Sequence, residues 1–465
     1  MQPEQAPKAF VARTVSVLGP ALTRELNGWV GLAVAALAVA GLLALVAVIA
    51  RTPGLREFLP WPWQDFFPKI VITHVDFSII IWFLSILAAL ALLATARVTG
   101  GKPRWPALGP FGLIAVAIGF TLVLVSFLFN LGDASLNNYV PVLMHPLFYT
   151  GLGGLAIGVA GVLIRLLRSL PGNTVGSFEH GVAATGTTFL IALLCFCLAW
   201  TALPAGTERA LAHERLFWGG GHILQFVNTM LMLVSWRVLT EQAVAREIPH
   251  YWFVGTLWSL TAAAASGILL YGAFDVLSSE YREAFTQLLG YGLSLPPTVL
   301  VVMTTVRLIQ ERPVWQDIST LALLLSLLLF VVGGMLGYFL GVSDTRIPSH
   351  YHAVISGVNL AVMGLTFTLF LPLLQRPCPT PQAIRWSLLL YGGGQLILSG
   401  GMFAAGIAGV PRKTAGLEQN IDTTVKHVYM VVYGAGGLIA IIGGLLFVWM
   451  AAKCLLSQQK ISDAG

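Results

Sequence analysis

The chain has 465 residues, of which 57% are hydrophobic and only 10% charged, and its mean hydropathy is +0.82. Soluble domains carry about 25% charged residues, so this composition excludes a water-exposed globule and makes lipid the natural solvent. The net charge of +6 is small for this length and points to no nucleic-acid partner, because basic residues can be spent on membrane orientation.

Residues 1–27 read as a polar, partly amphipathic cytoplasmic lead-in without a cleavable signal pattern. A transmembrane helix needs roughly 20 apolar residues. Twelve such runs follow, over 28–50, 70–96, 107–131, 139–167, 180–203, 214–240, 251–274, 284–308, 318–341, 347–374, 384–409 and 427–452. Residues 453–465 form a cytoplasmic tail. The links are short and rich in Gly, Pro, Arg and Trp, with no room for a soluble domain. The expected fold class is therefore an all-α polytopic membrane protein with a twelve-helix membrane domain over 28–452. Twelve spans put both termini on one side. Sixteen Lys and Arg fall on that side and ten on the other, an excess that places both termini in the cytoplasm of a bacterial inner membrane. The bias is moderate, as it would be if acidic cofactor groups held positive charge at the outer face. The cysteines, Cys195, Cys197, Cys378 and Cys454, make no C-x-x-C or C-x-x-C-H pattern, so no covalent c-haem site or zinc ribbon is expected.

Ionisable residues inside a bilayer are costly and mark function by default. His74 lies about five residues inside the second run, His222 about eight inside the sixth, and His350 and His352 a few residues inside the tenth. All three runs pass from outside to inside. At 1.5 Å of rise per residue, the four imidazoles share the outer half of the bilayer. A lone histidine would be read as a packed residue bonded to a carbonyl; four at one depth point to metal. His350 and His352 are two apart, about 200° around a helix. They cannot share one metal face, but they can ligate two haems on opposite sides of the same helix.

With these motifs in order, the chain resembles subunit I of the haem-copper oxidase superfamily, which spans cytochrome c oxidases, quinol oxidases and nitric oxide reductases. Thr73-His74-Val75-Asp76 is like that family's low-spin haem ligand helix. Leu216-Phe217-Trp218-Gly219-Gly220-Gly221-His222 is similar to its L-F-W-x-x-G-H, whose histidine binds the active-site copper. Gly333-Gly334-Met335-Leu336-Gly337, Asp344-Thr345 and His350-Tyr351-His352 are like its G-G-x-T-G, D-T and H-F-H. Gly406-Ile407-Ala408-Gly409-Val410-Pro411-Arg412-Lys413 looks like G-L-x-G-M-P-R-R, whose basic pair binds haem propionates.

The resemblance implies two haems: a low-spin one between His74 and His352, and a high-spin one on His350 whose open side faces His222. Arg412, Lys413 and Asp344 would serve the cofactors. Electrons would come from a cytochrome or cupredoxin-type donor subunit on the outer side, pass through the low-spin haem, and reduce O2 or NO at the high-spin one. Other membrane subunits and the lipid bilayer are the remaining partners.

The sequence departs from the family at the copper. No histidine lies between His250 and His350, and alignment around Arg282 and Phe285 sets Leu270 and Tyr271 near the family's adjacent histidine pair. One imidazole alone is a poor copper site, which puts copper in doubt. His222 is followed by Ile223-Leu224-Gln225-Phe226 rather than P-E-V-Y, and Phe226 stands where nitric oxide reductases carry a glutamate ligand. The helix 8 lysine of pumping members appears as Val301 or a neighbour. Tyr271 is the candidate replacement donor of a proton or electron, against a plain reading as a belt tyrosine. His145 in the fourth run shares the histidine layer, with helix packing as the commoner reading. Asp76 is expected to be a hydrogen-bonded interface carboxylate. Trp61 and Trp63 suggest a donor docking surface or an aromatic belt. The alternative function is a non-catalytic dihaem electron-transfer or gas-sensing subunit that has lost its copper.

Overall fold

A computed structural model describes residues 9–59, 66–244 and 248–457. Among them are twelve helices long and apolar enough to cross a membrane: α1 (Pro20–Arg51), α2 (Phe67–Thr99), α3 (Leu108–Leu128), α4 (Pro146–Ser169), α5 (Ser177–Ala202), α6 (Arg209–Ala243), α7 (His250–Ala273), α8 (Ser279–Glu311), α9 (Ile318–Phe339), α10 (Arg346–Leu373), α11 (Pro381–Ile407) and α12 (Thr424–Leu456). Their starts carry the expected chemistry. Proline opens α1, α4 and α11, where its missing N–H costs nothing. The side chains of Glu208, Ser278, Asp317 and Thr423 accept from first-turn amides of α6, α8, α9 and α12.

Burial separates the histidine-bearing spans from the rest. In their most apolar windows α2, α6 and α10 are 94%, 89% and 83% buried, while no other span exceeds 56%. The three spans bearing the histidine layer are thus the interior ones, and the rest form a sheath toward lipid. Both α2 and α10 contain one wide π turn, Asp76–Ile81 just after His74 and Thr366–Phe370, a distortion found mostly at functional sites. Sheath helices pack through small residues. A Cβ on Gly394 would come within 2.3 Å of Ala440 N, and one on Gly443 within 2.3 Å of Tyr391 N, so α11 and α12 meet backbone to backbone.

Several boundaries differ from the apolar runs. Helix α1 begins at Pro20, not near residue 28, because Glu25 is buried and neutralised by Arg165 of α4 through bonds of 2.6 and 2.9 Å. Helix α4 begins at Pro146: residues 139–145 belong instead to a hairpin of β1 (Ala134–Ser135) and β2 (Val142–Leu143). The eighth span is two helices, Ser279–Gly292 and Leu295–Glu311, since Pro296 and Pro297 cannot donate to a continuing ladder. Helix α12 runs on to Leu456. Trp61 and Trp63 lie outside the described residues.

The Glu25–Arg165 pair generates a test. Glu25→Ala leaves an unpaired buried guanidinium and should cost about 3–5 kcal/mol, whereas Glu25→Ala combined with Arg165→Met should restore most of it. Thermal unfolding in detergent measures both. A single variant melting with the wild type refutes the assignment.

Candidate functional site

Three of the four layer imidazoles are fixed the same way. His74 on α2 donates Nδ1–H to the Ala40 carbonyl of α1 at 2.9 Å. His350 on α10 donates Nδ1–H to the Gly333 carbonyl of α9 at 2.6 Å. His222 on α6 donates Nδ1–H to the Trp218 carbonyl one turn back at 2.7 Å. A carbonyl only accepts, so the proton sits on Nδ1 and the lone pair on Nε2. Histidines that ligate metals are commonly held like this, their other ring nitrogen bonded to a carbonyl or carboxylate. Gly333 allows the approach of α9: a Cβ there would be 2.6 Å from Val354 N. His352 has no side-chain hydrogen bond among the described residues. Its ring stacks on Tyr351 at 5.2 Å and 29°, and it lies within electrostatic reach of His74. His74 and His352 thus lie on two interior helices within electrostatic reach of each other, and His350 sits on another face of α10. This donor set fits haem.

The surroundings of His222 do not fit copper. Its Nε2, the atom a metal would take, accepts the Tyr139 hydroxyl at 3.0 Å. Its ring is boxed by Tyr139 at 4.3 Å, Trp218 at 4.8 Å and Phe285 at 5.9 Å. Among the described residues, no three His, Cys, Asp or Glu side chains gather in a way that could hold a metal ion. Among the described residues, Tyr271 forms no hydrogen bond or ring contact with His222. Its hydroxyl lies beside Tyr281 and Cys195 and abuts Gly219, where a Cβ would stand 2.3 Å from it. Phe285 bridges the two groups, 5.6 Å from the Tyr271 ring.

Tyr139 is the residue that the sequence reading missed. It lies where the fourth apolar run appeared to begin, but Asn130, Gly132, Asp133, Asn137, Asn138 and Pro141 around it have turn composition. Gly221 seats it: a Cβ there would be 2.4 Å from the Tyr139 Cβ. Burial pushes the Tyr139 hydroxyl above the usual phenol range and keeps it protonated, against the opposing pull of Arg412. Two lysines clamp its hairpin. Lys69 Nζ donates to Asn130 O at 3.1 Å and Oδ1 at 2.6 Å. Lys413 Nζ donates to Leu136 O and to Asn138 Oδ1. His145, expected inside the fourth helix, is instead its N-cap in extended backbone, with Nδ1 accepting from Leu147 N at 3.2 Å.

The remaining expected site residues build one corner, away from the chain termini. Asp344 pairs with Pro411 in an antiparallel bridge, with Thr345 N to Val410 O at 3.0 Å and Arg412 N to Ser343 O at 3.1 Å. The Asp344 carboxylate accepts Arg346 Nε at 3.0 Å, Nη2 at 2.8 Å and the Arg346 amide at 2.9 Å, which lowers its pKa. The backbone on either side of Asp344 thus holds the Arg412 strand. Arg412 lies within electrostatic reach of Tyr139 and Tyr351. Arg51, one residue past the first apolar run, ends α1 and is only 7% exposed, with Nε and Nη2 unpartnered. Asp76 is fully buried and neither carboxylate oxygen has a partner, so the interface hydrogen bond expected for it is not formed.

Known proteins resemble this chain in sequence and fold. The family model for cytochrome c and quinol oxidase polypeptide I matches residues 28–439. An uncharacterised protein of Aquifex aeolicus (strain VF5) is 31% identical over 345 residues, covering 73% of this chain and 83% of its own. An uncharacterised protein of Rickettsia prowazekii (strain Madrid E) is 26% identical over 501 residues, covering 92% and 95%. A cryo-EM structure described as a heme-copper terminal oxidase dimer shares the fold, with a TM-score of 0.76 at 15% identity over 95% of this chain and 85% of that one.

The hairpin clamp has a pH signature. Burial, then the neighbouring Arg412, lower the Lys413 pKa to about 8, against about 10.4 unfolded. Between those values the unfolded chain binds more protons, so this residue's contribution to stability rises with pH. The melting temperature of the wild type minus that of Lys413→Met should climb from pH 7.5 to pH 10. A flat difference contradicts the assignment.

Proposed function

The chain belongs to the cytochrome c and quinol oxidase polypeptide I family, and on that premise we propose that it is the haem-carrying subunit of a respiratory oxidoreductase. It would take electrons from a cytochrome or cupredoxin-type donor subunit at the outer face of a bacterial inner membrane and deliver them to O2 or NO. The Lys and Arg distribution supports cytoplasmic termini, and other membrane subunits complete the assembly.

The observation that carries this reading is the common tautomer of His74, His222 and His350, each with Nδ1 on a backbone carbonyl. His74 and His352 would hold one haem between α2 and α10, and His350 would hold the second. Bound haem supplies one-electron transfer and, on an iron with a single protein ligand, an open position for a small oxidant. Arg412 offers charge-assisted hydrogen bonds to haem carboxylates. Lys413 adds positive charge and ties the hairpin down, while the backbone on either side of Asp344 holds the strand that carries both. Tyr139 and His222 keep a proton between the phenol oxygen and Nε2 beside the oxidant's position, and the Tyr271 hydroxyl, packed at Gly219 of the same helix, is the second proton-bearing group. The aromatic box excludes water. No step is assigned to copper.

One observation favours a second reading, a dihaem electron-transfer or gas-sensing subunit: the Tyr139 hydroxyl already occupies His222 Nε2. Spectra of the purified complex separate the two. Both readings expect two haems in the reduced-minus-oxidised spectrum and loss of the low-spin one in His352→Ala. The catalytic reading further expects a CO-induced shift and consumption of O2 or NO. His222→Ala and Tyr139→Phe should keep both haems yet change CO or O2 kinetics several-fold. No CO shift would defeat the catalytic reading, and a full equivalent of non-haem metal would defeat the sensing one.

A further inference from the structure

Cys378 and Cys454 are distant in the chain but neighbours in the fold. Cys378 follows α10 in a link, 376–380, that has no regular structure, and Cys454 lies in the last turn of α12. Two residues before Cys378, Arg376 Nη1 donates to the carbonyl of Ser457, three residues after Cys454. Ser457 Oγ donates in turn to the Cys454 carbonyl at 2.6 Å. Arg376 Nη2 donates to Asn27 Oδ1 of α1 at 3.4 Å, which steadies the guanidinium.

The two helices meet on the same side. The Cys378 thiol donates to the Phe367 carbonyl of α10 at 3.9 Å. The Phe367 ring packs edge to face on Phe447 of α12, with centroids 5.5 Å apart. Cys454 comes seven residues after Phe447, about two turns, and so on nearly the same face of α12. The face that meets Phe367 is therefore the face that carries Cys454, and the two sulfurs lie within electrostatic reach of each other. Their access differs: Cys378 is exposed, whereas Cys454 is only 7% exposed. Both lie on the side of the bundle that holds the chain termini. In a cytoplasm kept reducing by small thiols, a disulfide there is transient and serves redox sensing rather than stapling.

We propose that Cys378 and Cys454 form a thiol–disulfide exchange site for a small-molecule disulfide of the glutathione class. The Cys378 thiolate attacks one sulfur of that disulfide, forming a mixed disulfide and releasing one small thiolate. The Cys454 thiolate then attacks the Cys378 sulfur and displaces the second. Two protein thiols are oxidised to one disulfide, the small disulfide is reduced to two thiols, and the two protons pass to the released thiolates. The irregular link can shift to meet the narrow geometry a disulfide demands, while α12 stays in place. The new bond ties the segment just after α10, the helix that bears His350 and His352, to the end of α12. No bound cofactor takes part.

The test is exposure of the purified complex to oxidised glutathione, alkylation of the remaining thiols, and peptide mapping by mass spectrometry. The wild type should lose both thiols together, giving a Cys378–Cys454 peptide pair lighter by two hydrogens, and dithiothreitol should restore them. Cys454→Ser should stop at a glutathione adduct on Cys378. In Cys378→Ser, loss of the Cys454 thiol should slow about tenfold or more, because the exposed point of entry is gone. If neither serine variant accumulates, the wild-type map decides alone. A stable glutathione adduct on wild-type Cys378, with Cys454 still open to alkylation, overturns the proposal. So does a cross-link between the Cys378 residues of two copies of the chain, or a Cys454 thiol lost as fast without Cys378 as with it. Both thiols unchanged at a glutathione excess that oxidises a small dithiol also overturn it.

Discussion

The hydrogen bond from His74 to the Ala40 carbonyl joins two requirements that a membrane interior makes hard to meet together. An imidazole in hydrocarbon must be satisfied, because an unpaired polar group there is costly. A ligand imidazole must also keep one nitrogen bare. Giving Nδ1 to a backbone carbonyl does both, and fixes the ring's rotation as well. The same Nδ1 bond recurs at His350 and His222 with carbonyls from α9 and α6, although at His222 the Tyr139 hydroxyl takes the second nitrogen. Since these bonds cross between helices in two of the three cases, the packing of α1 on α2 and of α9 on α10 is part of the site rather than its container. The glycine at 333 belongs to this arrangement, because a side chain there would hold the two backbones apart.

Much of this was legible in the sequence. Apolar runs disclosed all twelve spans, since length and hydropathy follow directly from bilayer thickness. The shared depth of His74, His222, His350 and His352 marked the three helices that turn out to be interior. What was hidden was hidden for physical reasons. Glu25 looked like a helix boundary because its partner, Arg165, is 140 residues away. The hairpin around Tyr139 looked like membrane because Tyr139, Val140, Val142, Leu143 and Met144 are apolar enough to pass, although Asn137, Asn138 and Pro141 signal a turn. Arg51 looked like a loop charge because burial of a single cation at a helix end leaves no local pattern. Asp344 and Lys413 were found by motif, but the motif did not reveal that the backbone beside one holds a strand and the other clamps a hairpin.

The neighbourhood of His222 is built from phenols and aromatic rings. Tyr139, Trp218, Phe285, Tyr271 and Tyr281 fill it, with three glycines on α6 that make room. A Cβ on Gly220 would meet the Phe196 ring at 2.3 Å, just as Gly219 meets Tyr271 and Gly221 meets Tyr139. The triple glycine is thus accounted for by three separate aromatic contacts on three faces of the helix. Aromatic rings exclude water, and phenols hold protons without formal charge, which suits a site surrounded by lipid.

The two-lysine clamp on the hairpin bears on biogenesis. Lys69 precedes the segment that it grips, whereas Lys413 follows it by more than two hundred residues. During synthesis, the second grip cannot close until the stretch after α11 has emerged and been inserted. Until then the hairpin that carries Tyr139 is tethered from one end only. The order of synthesis therefore sets the order in which the two grips on the hairpin form, Lys69 first and Lys413 second.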